Sequence, residues 1–219
     1  MEKFDGIVSL LIACIELLFV INLLIFAEKN SVNKLVIALI GLLFGYQFFE
    51  TLICTFKLQN QFIIYLAFFG ITFMPPLGFY TVQKIVGNNS KNNILIFIPA
   101  LFFISYYPFV IDQFAVTKCT VLYASYHYPL GQLYAVFYYL PILFLMVLLN
   151  KKWGAETSPR KKSLIRTFFF GYLFTFIPAM IIALTVPSFI NAVESLLCKM
   201  AFILASFLTY FCLKNKTEK

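Results

Sequence analysis

The chain has 219 residues, 62% of them hydrophobic and only 12% charged, with a mean hydropathy of +0.89. A soluble domain is about half apolar and about a quarter charged, so a water-facing globular surface is excluded, and with it a separate soluble domain. The net charge of +8 calls for no nucleic-acid partner, because the basic residues gather between hydrophobic stretches, where they would meet anionic lipid headgroups.

Seven stretches read as helices, at about 6–27, 34–56, 61–84, 92–111, 130–150, 164–186 and 188–213. Each is long enough to cross about 30 Å of hydrocarbon at 1.5 Å per residue. They are continuous rather than alternating, which favours helices over barrel strands. The expected fold class is all-α: one up-and-down bundle of seven membrane-spanning helices over residues 1–219, with mostly short connections. The first stretch carries Glu16 and has no small-residue cleavage site before Glu28, so it reads as a retained span and not as a signal peptide. The third contains Pro75 and Pro76 near its middle. Each removes a backbone donor and frees a carbonyl one turn earlier, and Thr72 is placed to satisfy part of that loss. The one long connection, DQFAVTKCTVLYASYHYP at about 112–129, is rich in β-branched and aromatic residues, as a short hairpin or an interfacial helix would be. It has two possible seats, as a lid on the bundle or in the aromatic belt of the interface. Tyr106, Tyr107, Tyr123, Tyr126, Tyr128 and Tyr134 favour the belt. Pro187 suits the first turn of the last helix.

Orientation follows from the basic residues between spans. With seven spans, Lys3, Lys57 and Lys118 fall on one side. On the other fall Lys29, Lys34, Lys84, Lys91, Lys151, Lys152, Arg160, Lys161, Lys162, Arg166, Lys214, Lys216 and Lys219; with Lys199 inside, these account for all 17. The amino terminus is therefore expected outside and the carboxyl terminus inside, in the cell membrane. The densest basic run, KKWGAETSPRKKSLIR at 151–166, reads first as a lipid-facing loop and second as a dock for a separate signalling partner.

None of the five cysteines has metal-site spacing. Cys14, Cys198 and Cys212 read as small buried apolar residues. Cys54 and Cys119 both fall near the outer face and form a candidate disulfide. His127 is the only histidine, which argues against a zinc centre of several histidines and suits an interfacial position. No cofactor is expected.

Lys199 lies near the middle of the last stretch, where a cation is costly and needs a partner or a role. Its candidate partners are Glu16, Glu50 and Glu194. Gln47 shares a helix face with Glu50 and Ser195 shares one with Lys199, while Ser9 lines the same side of its helix as Glu16. The candidate binding residues are thus Glu16, Gln47, Glu50, Ser195 and Lys199. One reading is an ion pair that fixes the last helix. The other is a solute, ion or proton site. Two deep carboxylates facing one ammonium leave a negative charge uncompensated unless one carboxyl is protonated or binds a cation. No nucleophile, base and orienting group are assembled, so an enzyme is not expected. A lysine in a seventh helix also suits a retinal Schiff base. Against that, the third helix carries no acidic counter-ion and the single tryptophan, Trp153, lies in a loop.

Two segments, LLFGYQFFE from Leu42 to Glu50 and ESLLCKMAFILASFLTY from Glu194 to Tyr210, resemble an uncharacterised family of small seven-helix bacterial membrane proteins. The chain departs from that pattern at Lys199, where the family tends to carry an aromatic residue. The resemblance implies the topology and lends no activity. The proline-rich segment FFGITFMPPLGFYTVQ is similar to the seven-helix amino-terminal sensor region of some histidine kinases, which implies sensing with a separate output protein. The expected function is non-enzymatic: binding or sensing of a small or lipid-like ligand in a polar pocket among helices one, two and seven. The alternative is a small-solute or proton-coupled transporter that uses Glu16, Glu50 and Lys199.

Overall fold

The computed structural model describes residues 5–88, 90–185 and 193–216; Pro187 and the side chain of Glu194 lie outside the described residues. Among the described residues, seven helical segments are long and apolar enough to cross a membrane. The first two are α1 (Ile7–Phe26) and α2 (Ser31–Cys54). Asn30 caps α2, its side chain accepting from the Asn33 N–H at 2.8 Å, which satisfies one of the orphan donors of the first turn.

The third segment, Gln61–Ile85, is two helices, α3 (Gln61–Thr72) and α4 (Met74–Ile85), which meet at Phe73. Pro75 and Pro76 occupy the first turn of α4, where a missing N–H costs nothing. The prolines therefore start a helix instead of kinking one. Thr72 does not serve the freed carbonyls as expected. Its hydroxyl donates to the Phe68 carbonyl, one turn back, at 2.6 Å and lies 3.0 Å from the Tyr134 hydroxyl.

The fourth segment is only partly α-helical. A 3₁₀ turn over Lys91–Phe97 leads into α5 (Ile98–Tyr106), and a second 3₁₀ turn follows over Tyr107–Gln113. The tighter winding rises about 2 Å per residue, so these residues reach farther than an α-helix of the same length. A two-stranded antiparallel hairpin comes next, β1 (Ala115–Cys119) and β2 (Ala124–His127). Its register pairs Val116 with Tyr126 and Cys119 with Ala124, with a bulge at Thr117. The chain continues as α6 (Gly131–Ala155), α7 (Pro159–Thr185) and α8 (Val193–Lys214).

In the bundle α2 is the hub, touching α1, α3, α4 and α8, while α8 also packs on α1 and α7. The α7–α8 contact is close because Gly171 lies against Phe207; small residues let helix backbones approach where lipid would not drive them together. Large apolar side chains such as Leu18, Ile25, Phe26 and Phe109 point outwards. At the end away from the hairpin, the Asn33 side chain donates to the backbone carbonyls of Glu28 and Asn215, at 2.8 Å and 3.2 Å. This ties the start of α2 to the end of α8.

Two expectations are corrected. Cys14 is exposed and not buried, because α1 turns the face of Ser9, Ile12, Ala13, Glu16 and Leu23 inwards and Cys14 falls on the opposite face. Tyr107, Tyr126 and Tyr134 are core residues, not belt residues. They surround Phe68, whose ring centroid lies 6.4 Å from Tyr107, 5.6 Å from Tyr126 and 5.9 Å from Tyr134. His127 is exposed.

Candidate functional site

The inner side chains of α1, α2 and α8 meet near the hairpin end. Gln47 and Glu50, three residues apart on α2, face Ser195 and Lys199, four apart on α8. Ser9 and Glu16 come from α1. All six are buried. The ammonium of Lys199 donates to Glu50 Oε1 at 2.6 Å and to Gln47 Oε1 at 2.9 Å. Glu50 is the hub of the cluster. Oε1 also accepts from the Ser9 hydroxyl at 2.9 Å, and Oε2 accepts from the Ser195 hydroxyl at 2.9 Å. The Gln47 amide is oriented by its own donation to the Cys198 carbonyl at 2.7 Å, so its oxygen points at Lys199.

A buried charge pair is tolerated only when further hydrogen bonds satisfy its remaining lone pairs and protons. Glu50 gains two further hydrogen bonds from serines, and Lys199 one further bond to Gln47. The arrangement is directional and closed, as suits a structural joint. Glu16 is different. Its side chain is fully buried, both carboxyl oxygens lack a hydrogen-bond partner, and Lys199 lies within electrostatic range.

The hairpin closes the cluster, contrary to the expectation that this loop lies in the belt. The Ala124 N–H donates to Ser195 Oγ at 3.0 Å. Cys54, the last residue of α2, is bonded to Cys119 of β1. Gly6, just ahead of α1, donates its N–H to the Thr120 carbonyl at 2.9 Å. Gly6 has a φ of 75°, and a Cβ there would meet Cys54 and Thr55, so glycine lets the chain pass under the hairpin. The hairpin is thus fixed to α1, α2 and α8, the helices that carry the polar residues.

The structure brings together all five residues chosen from the sequence, with Glu16 beside the network and not bonded into it. Sequence reasoning missed the donor from the hairpin, and no signal could have revealed it, since any non-proline residue has a backbone N–H. Next to the cluster, on the far side of α8, lies an apolar cavity of about 30 Å³ lined by Leu43, Pro75, Tyr138, Tyr172 and Cys198 among others. It has room for one or two waters and supplies no charged group. Among the described residues, no group of three or more His, Cys, Asp or Glu is placed to hold a metal ion. No family model matches the chain, and no curated protein or solved structure matches it.

Proposed function

We propose that this is a multi-pass protein of the cell membrane that binds or senses a ligand at its hairpin face and does no chemistry on it. The hairpin and amino terminus would face outwards and the basic loops inwards. The outward-facing apolar side chains and the strongly one-sided distribution of lysine and arginine support that placement. The observation that carries the functional reading is the hydrogen bond from Ala124 to Ser195. Through it the hairpin, the longest connection among the described residues, is joined to the buried Glu50–Lys199 pair by two consecutive hydrogen bonds. A small or lipid-like molecule that displaces the hairpin would break that link and leave the Ser195 oxygen, next to Glu50, without its donor. The basic loop 151–166 would then offer the inner surface for a separate signalling partner.

The test is a thermal-shift screen of polar and lipid-like compounds on the purified protein in nanodiscs. A compound that stabilises the wild type and loses its effect in Ser195→Ala supports the reading. Equal shifts in both proteins would remove the cluster from ligand binding. The partnerless carboxyl of Glu16 favours a second reading, proton-coupled transport. Solute flux into proteoliposomes that vanishes in Glu16→Gln would establish it in place of the first.

A further inference from the structure

We infer that Glu16 is a proton-binding site, and that proton occupancy there is read out at the hairpin through Lys199, Glu50 and Ser195. The inference rests on the sensing reading only for the role of the hairpin, and names what the buried cluster itself binds.

Among the described residues, Glu16, Glu50 and Lys199 are the only charged side chains buried in the bundle. Lys199 is committed to Glu50 and Gln47, and Glu50 is saturated by Lys199, Ser9 and Ser195. The helices packed on α1 are α2 and α8, whose other buried titratable side chains, among the described residues, are Tyr46, Cys198 and Cys212. A lone buried carboxylate with no hydrogen bond takes on a countercharge. A metal cation is a poor candidate for that charge. Even a magnesium ion needs near-ideal octahedral oxygen coordination, and calcium takes six to eight oxygens, whereas among the described residues no group of three or more His, Cys, Asp or Glu is placed to hold a metal ion. Only a proton needs no coordination shell.

When that proton leaves, the carboxylate is left facing Lys199, the one buried cation. The ammonium is then drawn to two carboxylates instead of one. Any movement towards Glu16 stretches its bond to Glu50, and Glu50 holds Ser195, which accepts from the hairpin at Ala124. The proton goes to solvent when the hairpin end opens and returns by the same route, so the two states differ by one proton and one charge: a protonated Glu16 beside an intact, neutral pair, or one ammonium shared by two carboxylates with a net charge of −1.

The experiment is infrared spectroscopy of the intact, disulfide-bonded protein in nanodiscs at neutral pH, combined with amide hydrogen exchange. The wild type should show a carboxylic-acid carbonyl band, shifted by deuterium, that is absent in Glu16→Gln and retained in Phe68→Leu, a variant outside the polar cluster that tests for general loss of stability. Protection of the Ala124 amide should fall on raising the pH, beyond the intrinsic rise in exchange. That extra fall should be at least tenfold smaller in Glu16→Gln. No acid band in the wild type, or a band that survives Glu16→Gln, would overturn the proton site. A band that belongs to Glu16 with an unchanged exchange profile would overturn the coupling. Neither result depends on whether an added compound shifts the melting temperature, so the sensing reading stands or falls separately.

Discussion

Around Glu50, α1, α2 and α8 meet through two serines, a glutamine and a lysine, with every contact a directed hydrogen bond. Around Phe68, on the other side of the bundle, α3, the turn at Tyr107 and the start of α6 meet through aromatic rings. Five ring centroids lie within 6.4 Å of that of Phe68, those of Tyr107, Phe114, Tyr126, Tyr128 and Tyr134. Edge-to-face packing of this kind is forgiving of small shifts, while a charge pair fixes register and direction. The hairpin belongs to both. Ala124 reaches Ser195 through its backbone N–H, and Tyr126, two residues on in β2, reaches Phe68 through its ring. The bundle thus has a specified half and an adaptable half, with a single strand touching each.

The largest effect expected from breaking this contrast is at the ion pair. Lys199→Met should cost about 3–5 kcal/mol, the usual result of leaving one member of a buried pair alone, in equilibrium unfolding from mixed micelles. Adding Glu50→Gln to that variant should recover part of the loss, and strictly additive costs would mean that the two side chains are not coupled. On the aromatic side, Phe68→Ala should cost about 3 kcal/mol from the cavity it leaves. Phe68→Leu should cost under about 1.5 kcal/mol, because the neighbouring rings can close in; a Leu variant as damaged as the Ala variant would show that this half is as exacting as the other. A smaller effect than at the ion pair or from Phe68→Ala is expected at the tie between hairpin and bundle. Cys119→Ser should lower stability by about 2 kcal/mol and speed exchange at Ala124 more than at residues of α3. Uniform acceleration would mean that the hairpin does not move as a unit.

The contrast also shows why part of the molecule was legible in its sequence. The spans follow from long apolar runs, and the expected third stretch at 61–84 matches Gln61–Ile85 closely. The break at Phe73 was less plain, because a proline pair kinks a helix or begins one depending on what the preceding residues do. The 3₁₀ turns of the fourth segment leave no mark in an apolar pattern. Of the polar cluster, the members were readable because charge at such depth is rare. Which carboxylate takes the lysine was not readable, since that depends on how α1 and α2 rotate against α8. The inward placement of Tyr107, Tyr126 and Tyr134 was hidden for a similar reason: a tyrosine near a span end suits a belt and a packed core equally well. The seat of the hairpin depends on Cys54, Gly6 and Ser195 together, and these are spread along nearly the whole chain.

That spread has a consequence for how the protein is made. Synthesis runs from the amino terminus, so Glu16 and Glu50 are in place about 150 residues before Lys199 emerges, Glu50 and Lys199 being separated by 149. Ser9 can reach Glu50 as soon as the first two helices are together, and the Cys54–Cys119 bond can close once the hairpin is translated, 65 residues after Cys54. α8 then arrives at a prepared acceptor, the Glu50 carboxylate and the Gln47 amide oxygen, with the Ser9 hydroxyl already donating to that carboxylate. Until it does, the nascent chain holds two acidic side chains with no cation to answer them. α8 supplies one ammonium, and its arrival completes the hydrogen-bonded network around Glu50.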